Sequence, residues 1–118
     1  MGRRFCGLLR TVIIMDHISN IKAKQIIEGI SGQYIHGNQT TMGVVEVKKG
    51  SSLPLHHHPH EQITFILEGE LEMTIGGETM TLKPGCFHVI HSNVPHSAVA
   101  HVDCKLIDVF SPVREDYR

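Results

Sequence analysis

The stretch GSSLPLHHHPHEQITFILEGELEMTIGGETMTL, residues 50–82, carries both the architecture and the chemistry of this chain. Its second half reads first. Two short segments alternate apolar and polar residues and flank Gly76-Gly77. Paired glycines supply the positive φ angles of a tight two-residue turn, so the segment is a β-hairpin. Outward from it, apolar stretches recur between turn signals: Lys49-Gly50-Ser51, Glu68-Gly69, Pro84-Gly85, Ser92-Asn93, Val102-Asp103 and Ser111-Pro112. A spacing of about 8–12 residues is the signature of an all-β sandwich or barrel. Nothing after Met15 keeps a helical period for three turns. About seven or eight antiparallel strands are expected, closed into a barrel that protects their edges. Residues 16–40 form a less regular lead-in of one or two edge strands.

The first half of the stretch holds four histidines within five residues, His56, His57, His58 and His60. Alternate strand residues share a face, so His56 and His58 point one way and His57 the other. Pro59 has no amide proton to give a ladder and ends the strand. The chain resumes at Gln62. Two histidines on one face and a third group from the next strand make a facial ligand set that leaves metal positions open. A further ligand must come from far along the chain, and His96 in NVPHS stands at a turn entering a strand. Solvated surface histidines are the competing reading, disfavoured by the clustering beside apolar strands. His57 and His60 are read as exposed or as supports. His88, His91 and His101 are read as ordinary strand or turn residues, with His91 a possible lumen group.

The totals narrow the function class. The chain of 118 residues suits one domain. With 11 basic and 12 acidic residues, it lacks the charge for nucleic-acid or membrane-surface binding. No apolar run approaches the ~20 residues of a membrane span. Cys6, Cys86 and Cys104 show no CxxC spacing, which points to a reduced, cytoplasmic protein. The opening MGRRFCGLLRTVIIM has basic and then apolar residues, as a signal peptide does. Arg10 interrupts it and no small-residue cleavage site follows. Residues 1–15 are therefore expected to be a dispensable extension, with Met15 an alternative start and 16–118 the working domain.

At these residues the sequence resembles the cupin superfamily. The first cupin motif, G-x5-H-x-H-x3-4-E-x6-G, is met by Gly50, His56, His58 and Gly69, with Gln62 at the glutamate position. The second, G-x5-P-x-G-x2-H-x3-N, is met by Gly85 and His96. His91, Asn93 and Ala100 replace its other members, and Cys86 stands where many cupins carry aspartate. Asn93 tolerates the left-handed bend that the glycine would make. The resemblance implies a double-stranded β-helix, or jelly-roll, barrel with a metal in its lumen. PLHHHPHEQITFILEGELEMTIGGE, NVPHSA and DVFSPVREDY look like the KdgF-type cupins of pectin and alginate breakdown. These convert 4,5-unsaturated monouronates from polysaccharide lyases into linear ketouronates. That likeness implies metal ligands at His56, His58, Gln62 and His96, and active-site roles for Asp108, Phe110 and Arg114. Val113 replaces a second proline of that family's pattern.

The residues can be weighed against this chemistry. Three imidazoles and an amide leave a divalent ion its full charge, which favours Lewis acidity and an anionic substrate. Zn, Ni, Mn, Fe and Co all suit such donors. Guanidinium is the natural partner of a uronate carboxylate. Beyond the extension the arginines are Arg114 and Arg118. Arg114 is either the carboxylate binder at the barrel mouth or a tail residue pairing with Glu115 or Asp116. Strand parity puts Leu106, Asp108 and Phe110 on one face. Asp108 then either faces solvent or sits near the metal to move a proton. Phe110 is either a wall for the sugar ring or plain core. The expected function is a metal-dependent isomerase of a small anionic sugar acid, working as a homodimer. A metal-dependent cupin dioxygenase, a small-molecule-binding module and a cupin with a vestigial site are the alternatives.

Overall fold

The computed structural model describes residues 15–118. Expectations for the extension fall outside the described residues, except at Met15. Among the described residues ten strands form, two in the lead-in and eight from Thr41 onward, as expected: β1 (Lys24–Ile27), β2 (Ile30–His36), β3 (Thr41–Val47), β4 (Ser52–His56), β5 (Glu61–Glu68), β6 (Leu71–Ile75), β7 (Glu78–Leu82), β8 (Phe87–Ile90), β9 (His96–Ala100) and β10 (Cys104–Ser111). Two of them are irregular. β1 has no apolar alternation and slips register between Gln25 and Ile27. β4 contains Pro54 and is irregular between Leu53 and His56. Among the described residues, helix is confined to two single 3-10 turns, Ile18–Asn20 and Glu115–Tyr117. No helix among the described residues is long and apolar enough to cross a membrane.

The strands make two antiparallel sheets, a jelly-roll sandwich. One has six strands in the order β1-β2-β3-β10-β5-β8, and the other has four in the order β4-β9-β6-β7. The β6–β7 hairpin turns on Gly76 and Gly77, with φ of 58° and 87°. Asn93 takes φ 63°, the bend expected of it. Ile30, Val45, Ile66 and Leu106 of the larger sheet face Leu71, Met73, Ala98 and Ala100 of the smaller one in a single core. Burial of this kind is worth about 1.5–3 kcal/mol per large side chain.

Register grades the lumen from apolar to polar. Val45, Leu106 and Ile66 lie side by side across β3, β10 and β5. One step along, Tyr34, Gly43, Asp108 and Thr64 align. A further step brings His36, Thr41, Phe110, Gln62 and Ile90 together. The Tyr34 ring lies over Gly32 and Gly43, where a Cβ on either glycine would overlap it. Parity along β10 thus does what the sequence implied. Leu106, Asp108 and Phe110 face the lumen, and Ile107 and Val109 face outward.

Candidate functional site

His56 and His96 are direct cross-strand partners on β4 and β9, with ring centroids 4.2 Å apart. The expected strand pairing of His56 with His58 needs correction. β4 stops at His56, one residue before His57 and three before Pro59, so His58 reaches the site from the connecting loop. Asn93 N–H donates to the His58 carbonyl at 2.8 Å and holds that loop. The His58 ring still lies 4.9 Å from that of His96 and 5.7 Å from that of His56. One ligand atom from each of the three comes within 4.8 Å of the others, a group that could hold a metal ion.

The donor chemistry fits an ion. Each ring directs Nδ1 at a backbone carbonyl: His56 at Pro54 (2.9 Å), His58 at His60 (3.0 Å) and His96 at Val94 (2.8 Å). Those bonds assign the proton to Nδ1 and leave Nε2 as a lone pair for coordination. His96 is 1 % exposed, and its Nε2 is buried with no hydrogen-bond partner. Burial, as the largest cause, pushes His96 down to about 4 and lowers His58 as well. Both imidazoles are therefore neutral at pH 7, the form that binds metal.

Gln62 is buried on β5 and turns its Oε1 to within 3.0 Å of His58 Nε2. With Nδ1 protonated, two lone pairs converge there, a contact that a shared cation would make favourable. The Gln62 amide donates to Thr64 Oγ1 at 2.9 Å and to Asp108 Oδ1 at 3.1 Å, and the Thr64 hydroxyl donates to the same Oδ1 at 2.7 Å. Asp108 is half-buried in the lumen rather than solvent-facing. Burial raises it to about 6 against the opposing pull of Thr64, Gln62 and Arg114.

Arg114 is buried, not a solvated tail residue. It does pair with Asp116, by Nε at 3.0 Å and Nη2 at 2.8 Å. Its guanidinium carbon stands 4.7 Å from the Phe110 ring and 3.9 Å from the Tyr117 ring. Tyr117 in turn packs on Tyr34 at 4.7 Å. Arg114 lines one cavity with His56, Gln62, Asp108, Phe110 and Tyr34. Lys24 Nζ donates to the Asp116 and Arg118 carbonyls, each at 3.3 Å, and so ties the last turn to β1.

Of the other histidines, His57, His91 and His101 are exposed, the last with Nε2 2.7 Å from Glu72 Oε1. His60 is half-buried with its ring 6.4 Å from that of Phe110, beside the site. Sequence reasoning missed Thr64, Tyr34 and Tyr117. Thr64 shares strand parity with Gln62, a signal that was available. Tyr117 stands three residues after Arg114 and stacks on its guanidinium, again an available signal, whereas Tyr34 arrives through contacts distant in sequence, for which no local signal exists.

The comparisons with known proteins agree with this geometry. The cupin domain family profile matches residues 43–110. The pectin degradation protein KdgF of Dickeya dadantii (strain 3937) is 33% identical over 97 residues, covering 80% of this chain and 88% of that protein. The structure of KdgF from Halomonas sp. superposes with a TM-score of 0.79 at 29% identity, covering 85% of this chain and 94% of that one. An RmlC-like cupin from Shewanella frigidimarina NCIMB 400 superposes at 0.84 with 26% identity, over 91% and 97% of the two chains. Fold, histidine group and sequence likeness meet in one conclusion: the chain belongs to the cupin family, as a small cupin resembling KdgF.

Proposed function

We propose that this chain is a metal-dependent isomerase that converts 4,5-unsaturated monouronates, the products of pectin and alginate lyases, into linear ketouronates. The observation that carries the reading is a three-histidine group whose His56 shares a cavity with the Asp108 carboxyl and the buried Arg114 guanidinium, in a chain 33% identical to a pectin degradation protein. His56, His58, His96 and Gln62 would hold one divalent ion. When bound, such an ion would supply Lewis acidity at the substrate oxygens. Arg114 pairs with the uronate carboxylate, and Phe110 walls the sugar ring. Ring opening of the hemiacetal leaves an enol at C5, which becomes the ketone when a proton reaches C4. Asp108 moves that proton. Burial favours the protonated form of its carboxyl, which suits it to hold and pass on a proton. No atom is lost or gained, so no redox cofactor is required.

The same reading places the chain in the cytoplasm, in keeping with free Cys86 and Cys104, and treats residues 1–15 as dispensable to a working domain of 16–118. It also makes the protein a homodimer. The support lies on the outer face of the six-stranded sheet rather than on edge strands. Ile35, Met42, Ile63, Phe65 and Phe87 are exposed there, with Phe65 beside Phe87 and Ile35 beside Met42. Together they expose on the order of 500 Å² of surface, the size of the largest, often functional, apolar patch of a typical monomer and much of the roughly 800 Å² each partner gives a standard interface.

An NMR time course of unsaturated galacturonate decides the function. Protein with one equivalent of metal should yield the linear ketouronate, and chelated protein should not. No conversion by loaded protein would overturn the proposal, and oxygen uptake in place of isomerisation would favour the dioxygenase.

A further inference from the structure

The cupin motif carries glutamate where this chain has Gln62, and the surroundings of that amide account for the difference. Gln62 and Thr64 share the lumen face of β5, and Thr64 stands opposite Asp108 on β10. Thr64 is 1 % exposed and Gln62 6 %. The hydrogen inventory of the trio closes in one direction only. The Thr64 hydroxyl has one hydrogen, and it goes to Asp108 Oδ1 at 2.7 Å. The Thr64 oxygen must then accept, and it accepts from the Gln62 amide at 2.9 Å. The second amide hydrogen reaches Asp108 Oδ1 at 3.1 Å. Turning the amide over would set its oxygen against a carboxylate oxygen and a hydroxyl whose hydrogen is already used. It would also aim NH2 at the histidine group. The amide oxygen is thus aimed before any ion arrives.

We propose that Thr64 is a positioning residue that, with Asp108, locks Gln62 so that its oxygen faces the ion, and that Gln62 and Asp108 are a matched pair. A glutamate at 62 would press a carboxylate oxygen against Asp108 Oδ1, where the amide supplies a hydrogen. The carboxyl at 108 therefore selects the amide at 62. The inference rests on the metal part of the function proposed above and is independent of the substrate.

The test is titration of metal-free protein with Co2+ alone, followed by visible absorption and calorimetry. Thr64→Val keeps shape and removes the hydroxyl, and should weaken Co2+ binding about 10–100-fold, the usual effect of losing a group that orients a ligand. Thr64→Ser restores the hydroxyl and should stay within about 3-fold of wild type. Wild-type affinity in Thr64→Val, or equal losses in the valine and serine variants, overturns the positioning role. The second arm compares Gln62→Glu in wild-type and Asp108→Asn backgrounds. In the double variant the new amide at 108 can offer the new carboxylate at 62 the missing hydrogen. Gln62→Glu should therefore bind Co2+ at least about 10-fold better in the Asp108→Asn background than two independent effects would give. Additive effects overturn the pairing even if Thr64→Val fails to fold. A wild-type protein that takes no Co2+ removes the metal reading itself, a result distinct from either.

Discussion

Replacing Asp108 with asparagine should change how the metal-free protein's stability depends on pH. Folding raises Asp108 from the ordinary 3.8 to about 6, chiefly by burial. Folding lowers His96 from 6.5 to about 4, again chiefly by burial. Between pH 4 and 6 the folded protein therefore holds a proton on Asp108 and none on His96, and the unfolded chain does the reverse. One proton is taken up and one released, so the two contributions to the slope cancel. Asparagine ends the uptake and leaves the release. Stability of Asp108→Asn should then climb with pH about 1.4 kcal/mol per unit more steeply than wild type, about 3 kcal/mol over the window. The variants should agree near pH 4. Above pH 6 asparagine should be the more stable by up to about 3 kcal/mol, because the ionised carboxylate carries a burial cost that the amide does not. The asparagine carbonyl can still accept from Thr64 and Gln62, so those bonds survive. His58 and His60 are also lowered by burial and steepen both curves alike. Urea denaturation of chelated protein at half-unit pH steps measures the difference. An offset independent of pH would mean that folding does not perturb Asp108, and the reasoning would fail with it.

Arg114→Lys should raise KM for an unsaturated uronate about 10–100-fold with kcat changed far less, since lysine can neither grip Asp116 bidentately nor stack between Phe110 and Tyr117. Steady-state kinetics check this, and an unchanged KM would remove the carboxylate role. Gly69→Ala should cost more than about 2 kcal/mol by urea denaturation. The residue has φ +84°, and a Cβ there would overlap the Asp103 carbonyl oxygen, a backbone atom that cannot move aside cheaply. Phe87→Glu, at a ring 65% exposed on the outer sheet face, should shift sedimentation from dimer to monomer. A variant that stays dimeric would move the interface elsewhere.

What could be read from the residues divides by range. The β6–β7 hairpin was legible because Gly76 and Gly77 encode their own turn and the flanking alternation needs no partner to be seen. The His56, His58 and His96 group was legible because ligand spacing survives a local error. His58 lies in a loop, not on β4, yet arrives at the same point. The bounds of β1 and β8 were not legible, since these four-residue strands are defined by their neighbours' ladders rather than by their own pattern. The setting of Arg114 was half legible. Its pair with Asp116 is local, but its burial depends on Tyr117, which Tyr34 and Lys24 hold from nearly the other end of the described chain.

The graded rows of the lumen tie accuracy of assembly to competence. A slip of one residue between β10 and β5 would exchange Asp108 for Ile107 or Val109, turning an aliphatic group towards the histidines and stranding the carboxyl outside. The same slip would evict Leu106 and Phe110 from the interior. A molecule that zips up wrongly therefore forfeits its hydrophobic reward and its reactive groups in one stroke, and misassembled copies have little means of persisting as well-packed but inert decoys.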